Sequence, residues 1–159
     1  MSADAPRFHL VLVEPEIPGN SGNIARLCAA SGVRLHFVEP LGFELSDRYL
    51  KRAGLDYWPF LDWKRWPSLD ALRAEADPAA RWYYFTTKTK RPYTEPRYRA
   101  GDYLVFGKET KGLPESLLAA NAASCVTIPI LNPNVRSLNL STSAGIGLYE
   151  ALRQIEAWP

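Results

Sequence analysis

The chain has 159 residues, of which 47% are hydrophobic and 23% are charged, and its formal net charge is +2. These values lie close to those of ordinary globular domains, so they argue against a disordered or fibrous protein and predict one domain over residues 1–159. No apolar run reaches the roughly 18 residues of a transmembrane helix, and residues 1–15 lack the pattern of a secretory signal. We therefore expect a cytoplasmic protein without a membrane partner.

Apolar runs alternate with helix-forming segments along the chain. Strands are predicted in residues 8–15, 33–40, 60–66, 82–87, 103–107 and 125–130. Helices are predicted in residues 21–32, 46–55, 68–76, 113–122 and 140–157. This order predicts an α/β fold, a three-layer domain with a mainly parallel sheet. In such sheets ligands bind beyond the carboxyl ends of the strands, so the loops that follow the strands are the candidate sites.

The loop after the first strand leads into the segment PGNSGNIAR, residues 18–26. Asn20 or Ser21 is predicted to cap the following helix, with Arg26 near one turn inside it and able to reach back to the loop. Exposed helix N–H groups beside an arginine are typical of an anion site. An ordinary capped helix with a surface arginine explains the same residues.

Residues 88–99, KTKRPYTEPRYR, contain five Lys or Arg residues and one Glu. Tyr93 and Tyr98 alternate with these cations, which predicts an exposed basic loop whose rings stack on unpaired RNA bases. Lys88 and Arg91 are then candidate RNA contacts. A merely solvated loop is an equally good interpretation.

The loop after the strand at 103–107 begins GKETKG. We expect Gly107 to let a ligand approach the backbone, Gly112 to supply a permissive backbone angle and Pro114 to start a helix. The pattern GxxxxGK[ST] is missing and no GxGxxG occurs in the chain, so a nicotinamide or ATP site loses its usual support.

The segment NVRSLNLSTSAG, residues 134–145, contains more short hydrogen-bonding side chains than one helix start requires. The predicted cap and turn residues are Ser137, Asn139, Ser141 and Thr142.

The last predicted helix has a core face, with Leu148, Ala151, Leu152 and Ile155 at i, i+3, i+4 and i+7 spacing. Tyr149 and Arg153 are predicted to pair on another face. Gly145 and Gly147 each weaken a helix by roughly 1 kcal/mol relative to Ala, which predicts that another backbone or a ligand lies very close to them.

The cysteines and histidines form no metal-binding pattern. Cys28 and Cys125 are interpreted as buried apolar side chains, and His9 and His36 as satisfied strand histidines. We therefore expect no metal.

Taken together, the segments 18–26, LVFGKETKGLP at 104–114 and IPI at 128–130 with RSLNLSTSAGIGLYE at 136–150 resemble the three ordered motifs of the SPOUT superfamily of RNA methyltransferases. The resemblance runs over nearly the whole chain. The stretch at 36–58 is most similar to the branch that methylates the ribose 2′-oxygen of C34 or U34 in tRNA, in leucine isoacceptors. The resemblance implies a C-terminal trefoil knot, contrary to the usual rule against threaded connections, and a homodimer that binds S-adenosylmethionine in the knot.

The resemblance also implies roles for individual residues. The implied catalytic residues are Arg26, Asn139 and Tyr149, although an interface role suits the Tyr149 ring equally well. We interpret Arg26 as a phosphate anchor that steadies the developing oxyanion, because a guanidinium with a pKa above about 12 is a poor proton acceptor. The implied cofactor-binding residues are Phe85, Thr86, Gly107, Glu109, Gly112, Ile128, Ser137 and Leu138, and Asn139 is implied to lie in the same pocket. The implied contacts to the tRNA anticodon stem-loop are Asn20, Arg26, Lys88, Arg91 and Arg136.

Three alternatives stay open at this point. The first is 2′-O-methylation at another tRNA or ribosomal RNA position, and the second is a non-catalytic RNA-binding protein with the same fold. The third is a metabolic α/β enzyme that acts on a small phosphorylated substrate, for which the anion-site loop is the motivation.

Overall fold

The computed structural model describes residues 5–45, 57–156 and 158. Within these ranges six strands alternate with four α-helices, so the predicted α/β pattern is confirmed. In chain order the elements are β1 (His9–Val13), α1 (Pro18–Ser31), β2 (Arg34–Val38), β3 (Trp63–Trp66), α2 (Leu69–Glu75), β4 (Trp82–Phe85), β5 (Tyr103–Gly107), α3 (Glu115–Ala120), β6 (Cys125–Val126) and α4 (Leu140–Gln154). Short 3₁₀ turns occupy Trp58–Phe60 and Ala122–Ser124. The predicted helix at 46–55 lies outside the described residues.

The six strands form one parallel sheet in the order β3-β2-β1-β5-β4-β6. The chain builds outward from β1 to β3, and then returns to the other side of β1 to add β4, β5 and β6. Neighbouring β1 and β5 end together, since Val13 is paired with Gly107. The loops after β1, β5, β4 and β6 therefore lie side by side at one edge of the sheet, where ligands bind in folds of this kind.

Both faces of the sheet are covered, which confirms the three-layer arrangement. On one face α1 and α4 pack together, and their buried side chains join those of β1 and β5 in the larger core. On the other face α2 and α3 contribute Leu72 and Leu118 to a second core, around Val11, Tyr84 and Val105. Within the described ranges, no helix has the length and apolar character needed to cross a bilayer.

The predicted core face of α4 is confirmed. Leu148, Ala151 and Leu152 are buried, and Ile155 packs against the same core. The predicted pairing of Tyr149 with Arg153 is wrong. The Arg153 Nε donates to Glu150 Oε1 at 2.8 Å, because a carboxylate three residues away is a stronger partner for a guanidinium than an exposed ring.

Gly147 has a close neighbour, as predicted, but that neighbour is a side chain, whereas another backbone or a ligand was predicted. A Cβ atom placed on Gly147 would lie 2.7 Å from Cε2 of Phe85, so the close neighbour is an aromatic ring and not a backbone. At Gly145 no close neighbour is found among the described residues, because a Cβ there would have no atom within 4 Å.

The histidines and cysteines behave as the sequence predicts. Cys28 and Cys125 are buried free thiols. His9 and His36 lie on the adjacent strands β1 and β2, with 2.8 Å between Nδ1 of His9 and Nε2 of His36. Nε1 of Trp66 donates to Nδ1 of His36 at 2.9 Å, so the interpretation as satisfied strand histidines is confirmed.

Candidate active site

A pocket of about 300 Å³ opens where the loops after β4, β5 and β6 meet. This volume is at the lower end of the range for small-molecule sites. Part of its wall is apolar, with the stacked rings of Phe85 and Phe106, whose centroids are 4.4 Å apart. Of the residues that the resemblance assigns to the cofactor, all but Asn139 line this one pocket: Phe85, Thr86, Gly107, Glu109, Gly112, Ile128, Ser137 and Leu138. Lys88 and Arg136 also line it.

The loop after β5 depends on two glycines in the left-handed region. Gly107 has a φ of 136°, and a Cβ there would lie 2.3 Å from the carbonyl oxygen of Val13. The backbone of β1 therefore requires a glycine at this position, and Gly107 also lines the pocket, where its predicted contact with a ligand stays a prediction. Gly112, with a φ of 70°, has the permissive angle that was predicted. Pro114 immediately precedes α3, as expected for a helix start.

The carboxylate of Glu109 points toward the loop after β1. Its Oε2 accepts a hydrogen bond from the backbone N–H of Glu16 at 2.7 Å, and its Oε1 accepts from that of Ile17 at 3.2 Å. In return, Oε1 of Glu16 accepts from the backbone N–H of Thr110 at 3.1 Å and from its Oγ1 at 2.7 Å. We call these four bonds the reciprocal latch. The hydrogen bonds from Thr110 hold the pKa of the Glu16 carboxyl below its usual range.

Sequence reasoning missed Glu16 and Thr110 as site residues. They are 94 positions apart, and neither belongs to a pattern that indicates their pairing. The only available signal was that both follow strand ends. Because β1 and β5 are neighbours in the sheet, their loops meet, but this order of strands was not predicted from the sequence.

Helix α1 begins earlier than predicted, at Pro18, and its N-cap residue Ile17 makes no side-chain cap bond. The predicted capping by Asn20 or Ser21 is therefore wrong, since both are buried inside the helix. The early start has a physical reason: proline suits the first helical position, and Glu109 holds the two residues before it. Ser21 Oγ has no hydrogen-bond partner among the described residues.

Asn139 connects the start of α4 to α1. Its Oδ1 accepts from the backbone N–H groups of Ser141 and Thr142, at 2.9 and 3.3 Å, which makes it the N-cap of α4. Because backbone N–H groups only donate, the amide orientation is fixed, and Nδ2 of Asn139 donates to Oδ1 of Asn20 at 3.1 Å. Two of the residues implied by the resemblance thus bond to each other, and their catalytic and RNA-binding roles stay predictions.

Arg26 is exposed and lies about two turns beyond Pro18, so its predicted position near one turn inside the helix is wrong. The reason is the early start of α1. Its guanidinium carbon lies 4.8 Å from the centroid of the Tyr57 ring. Arg26, Asn20, Asn139, Arg91 and Tyr149 are not among the residues that line the pocket.

The basic segment 88–99 is partly tied to the protein. Lys88 Nζ lies 2.8 Å from Glu115 Oε1, and Arg91 bonds both Glu95 and the Ala123 carbonyl oxygen, at 3.2 and 2.7 Å. Tyr98 is buried and packs edge-on against another core ring, so its predicted role as a stacking ring for RNA is wrong. Burial of its large apolar surface explains this outcome.

Glu109 is the acidic residue among those that line the pocket. In residues 5–45, 57–156 and 158, no group of three His, Cys, Asp or Glu side chains is arranged to hold a metal ion. What the pocket offers a ligand is apolar surface, loop backbone and the cations at its rim, Lys88, Lys108, Lys111 and Arg136.

Comparison with known proteins gives consistent results. The model of the SpoU rRNA Methylase family matches residues 7–149. The tRNA (cytidine(34)-2′-O)-methyltransferase of Escherichia coli strain K12 is 47% identical over 149 residues, which is 93% of this chain and 94% of that protein.

Solved structures extend the comparison to the fold. A structure described as giving structural insights into the 2-OH methylation of C/U34 on tRNA is 46% identical, with a TM-score of 0.90 over 97% of this chain and 99% of that chain. An AdoMet-bound rRNA methyltransferase from Sinorhizobium meliloti is 26% identical, with a TM-score of 0.81 over 94% of this chain and 57% of that chain.

Proposed function

Since the chain belongs to the SpoU rRNA methylase family, we propose that it transfers a methyl group from S-adenosylmethionine to the 2′-oxygen of C34 or U34 in tRNA. The observation that carries this proposal is one pocket lined by eight of the implied cofactor-binding residues, all but Asn139. The similarity to enzymes that act on position 34, over more than nine-tenths of both chains, supports the choice of substrate. Leucine isoacceptors are the proposed tRNAs.

The pocket fits the cofactor in size and chemistry. Stacked Phe85 and Phe106 give an adenine ring an apolar wall, and the surrounding loops offer main-chain donors and acceptors. When bound, S-adenosylmethionine supplies a methyl group that its own sulfonium charge already activates, so no metal is required.

The protein's part in the reaction is to align the RNA and to stabilise charge. Arg136 is exposed on the wall of the pocket and is placed to bind a phosphate there. Lys88 and Arg91 would have to exchange their present partners, Glu115 and Glu95, for phosphate oxygens. Arg26 serves as a bidentate anchor for a phosphate and not as the general base, because a guanidinium holds its proton in proteins.

We propose that the protein works as a homodimer. Tyr149 and Trp158 are stacked at 6.0 Å between centroids and remain 43% and 51% exposed in the single chain. Val135 and Leu138, beside the pocket loop, are also exposed. A second copy that covers these apolar side chains would remove them from water, and it would give a role to Arg26, which does not line the pocket of its own chain.

We further propose that residues 1–159 form one domain and that its C-terminal part is threaded as a trefoil knot. Helix α4 packs against α1 and β5. The segment between β4 and β5 also reaches α4, since the backbone N–H of Tyr98 donates to Oε1 of Gln154 at 2.9 Å. This placement supports a loop closed around the C-terminal segment. A cytoplasmic location is part of the same proposal, because the proposed substrate is there.

Methyl transfer to bulk tRNA, followed by nucleoside analysis and mapping of the modified position, tests the function. We expect 2′-O-methylated C34 or U34. Methylation at another nucleotide would support the proposed chemistry but overturn the proposed position. If the protein binds RNA but transfers no methyl group, and calorimetry detects no heat of cofactor binding, it is a non-catalytic RNA-binding protein.

Substitution of Arg26 tests the proposed anchor. Arg26→Lys keeps the charge but loses the planar fork, so we expect kcat/KM to fall at least about tenfold, and further in Arg26→Ala. Near-normal turnover of the Lys variant at neutral pH would argue against bidentate anchoring.

A further inference from the structure

The reciprocal latch joins the pocket to the helix that carries Arg26. We infer that Glu16 is a positioning residue, which holds the loop 108–112 against the start of α1 through Thr110 and so fixes the pocket relative to that helix. This inference rests on the function proposed above. Glu16 does not line the pocket, whereas Thr110 and Glu109 do, so Glu16 acts on a ligand only through its partners.

In the latch, each of the two loops donates hydrogen bonds to a carboxylate of the other. The Glu16 carboxylate takes two hydrogen bonds from Thr110, and the Glu109 carboxylate takes two from the backbone of Glu16 and Ile17. Hydrogen bonds to an ionised acceptor are stronger than those between neutral groups. A shift of either loop would therefore break bonds on both sides of the latch.

The start of α1 depends on this external support. The helix has no side-chain cap of its own, and Pro18 has no N–H to donate. The N–H groups of the two preceding residues, Glu16 and Ile17, are instead bonded by Glu109, which brings a negative charge to the positive end of the helix. The loop after β5 thus sets where α1 begins.

The backbone at Glu16 is also packed against Gly42 on its other side. The backbone N–H of Gly42 donates to the carbonyl oxygen of Pro15 at 2.9 Å. A Cβ atom on Gly42 would lie 2.8 Å from Cα of Glu16, so this approach requires glycine. A second tie runs in parallel, with 3.3 Å between Lys108 Nζ and Glu14 Oε1.

Calorimetric titration with S-adenosylhomocysteine tests the inference without turnover. Glu16→Ala removes the acceptor, and we expect its Kd to rise about tenfold, which corresponds to about 1.4 kcal/mol. Glu16→Gln keeps an acceptor oxygen and should bind within about threefold of the wild type. The melting temperature, measured on the same samples, should change little in both variants, since the latch lies outside the two cores.

The partner residue provides a matched pair. Thr110→Val keeps the shape of the side chain but loses the hydroxyl donor, whereas Thr110→Ser keeps that donor. We expect the Val variant to bind more weakly than the Ser variant. Glu16→Ala should have a smaller effect in the Thr110→Val background than in the wild type, because Thr110→Val has already removed one of the two hydrogen bonds that Glu16 accepts.

The outcomes separate the latch from the proposed function. If S-adenosylhomocysteine gives no heat of binding with the wild type, the proposal of a cofactor pocket is wrong, and so is the inferred role of the latch. Normal binding in the wild type and in Glu16→Ala would overturn the latch alone, as would equal weakening in the Ala and Gln variants. If Glu16→Ala does not fold, the comparison of Thr110→Val with Thr110→Ser decides, and equal affinity in these two contradicts the inference.

Discussion

The guanidinium carbon of Arg26 lies 4.8 Å from the ring centroid of Tyr57, which places the cation over the aromatic face. Tyr57 is the residue before the 3₁₀ turn at Trp58–Phe60, and Trp58 packs against Phe37 and Trp63. Trp58 thus attaches the chain next to Tyr57 to the core, whereas the arginine is exposed. Such a platform restricts the directions in which the long side chain can point.

Removal of this ring should weaken RNA engagement and leave the cofactor pocket intact. A cation–π contact at an exposed site is worth about 0.5 to 1 kcal/mol, so we expect Tyr57→Leu to raise the KM for tRNA about two- to fivefold. Tyr57→Phe retains the aromatic face and is the control. Steady-state kinetics and titration with S-adenosylhomocysteine measure the two effects. Equal impairment of the Phe and Leu variants would indicate that the hydroxyl, and not the ring face, matters.

Asn139 allows its capping and donor roles to be separated. Asn139→Ala removes the cap of α4 and should lower the free energy of unfolding by about 1 kcal/mol, measured by urea denaturation. Asn139→Asp keeps an oxygen for Ser141 and Thr142 but loses the donor to Asn20. We expect the Asp variant to be as stable as the wild type, or nearly so, and to lose methyl transfer. Full activity in this variant would show that Asn139 only caps α4 and has no role in catalysis.

Most strands were predictable because they come from apolar runs that mark a buried strand; β3, in which Lys64 and Arg65 are exposed, is an exception. The order of the strands was not, since no local pattern records that β5 lies between β1 and β4. The predicted start of α1 was wrong for the same reason, because a contact distant in sequence decides it. The two residues before it are held by Glu109, 93 and 92 positions away, and this contact overrides the local capping preference of Asn20.

The set of pocket residues was predicted from the family resemblance and not from the physical properties of the side chains. Backbone-lined pockets leave a weak signal in side-chain types, and Gly107 was assigned to ligand approach although Val13 is its close neighbour. Tyr98 illustrates the opposite error. Its basic neighbours indicated an exposed segment, but one ring can turn into the core while the adjacent cations stay in water.

The two glycines of α4 should respond oppositely to alanine. At Gly147 a Cβ would lie 2.7 Å from Phe85 and 3.2 Å from Phe106, so Gly147→Ala should cost about 1 to 3 kcal/mol of stability and disturb the pocket wall. At Gly145 there is space, and Gly145→Ala should stabilise by up to about 1 kcal/mol. Urea denaturation measures both. If both substitutions change the free energy of unfolding equally, helix propensity alone determines the effect of alanine at these positions.

The bond between His9 and His36 predicts how stability depends on pH. Trp66 donates to Nδ1 of His36, so the proton of His36 is on Nε2 and is donated to Nδ1 of His9. Burial, together with Arg34 and Lys64 nearby, lowers the pKa of His9 to about 4 and that of His36 to about 3, from an ordinary value of 6.5. Both rings are therefore neutral in the folded protein at neutral pH.

Below about pH 6.5 the unfolded chain binds protons at these histidines and the folded chain does not, so stability should fall as the pH falls toward 4. Because one pKa unit corresponds to about 1.4 kcal/mol, the loss should be on the order of a few kcal/mol. Urea unfolding between pH 7.5 and pH 5 isolates this effect from most carboxylates, which titrate at lower pH. His36→Gln can accept from Trp66 and donate to His9 without titrating, so its stability should depend less on pH over this range. An unchanged slope in His36→Gln would mean that other groups cause the dependence.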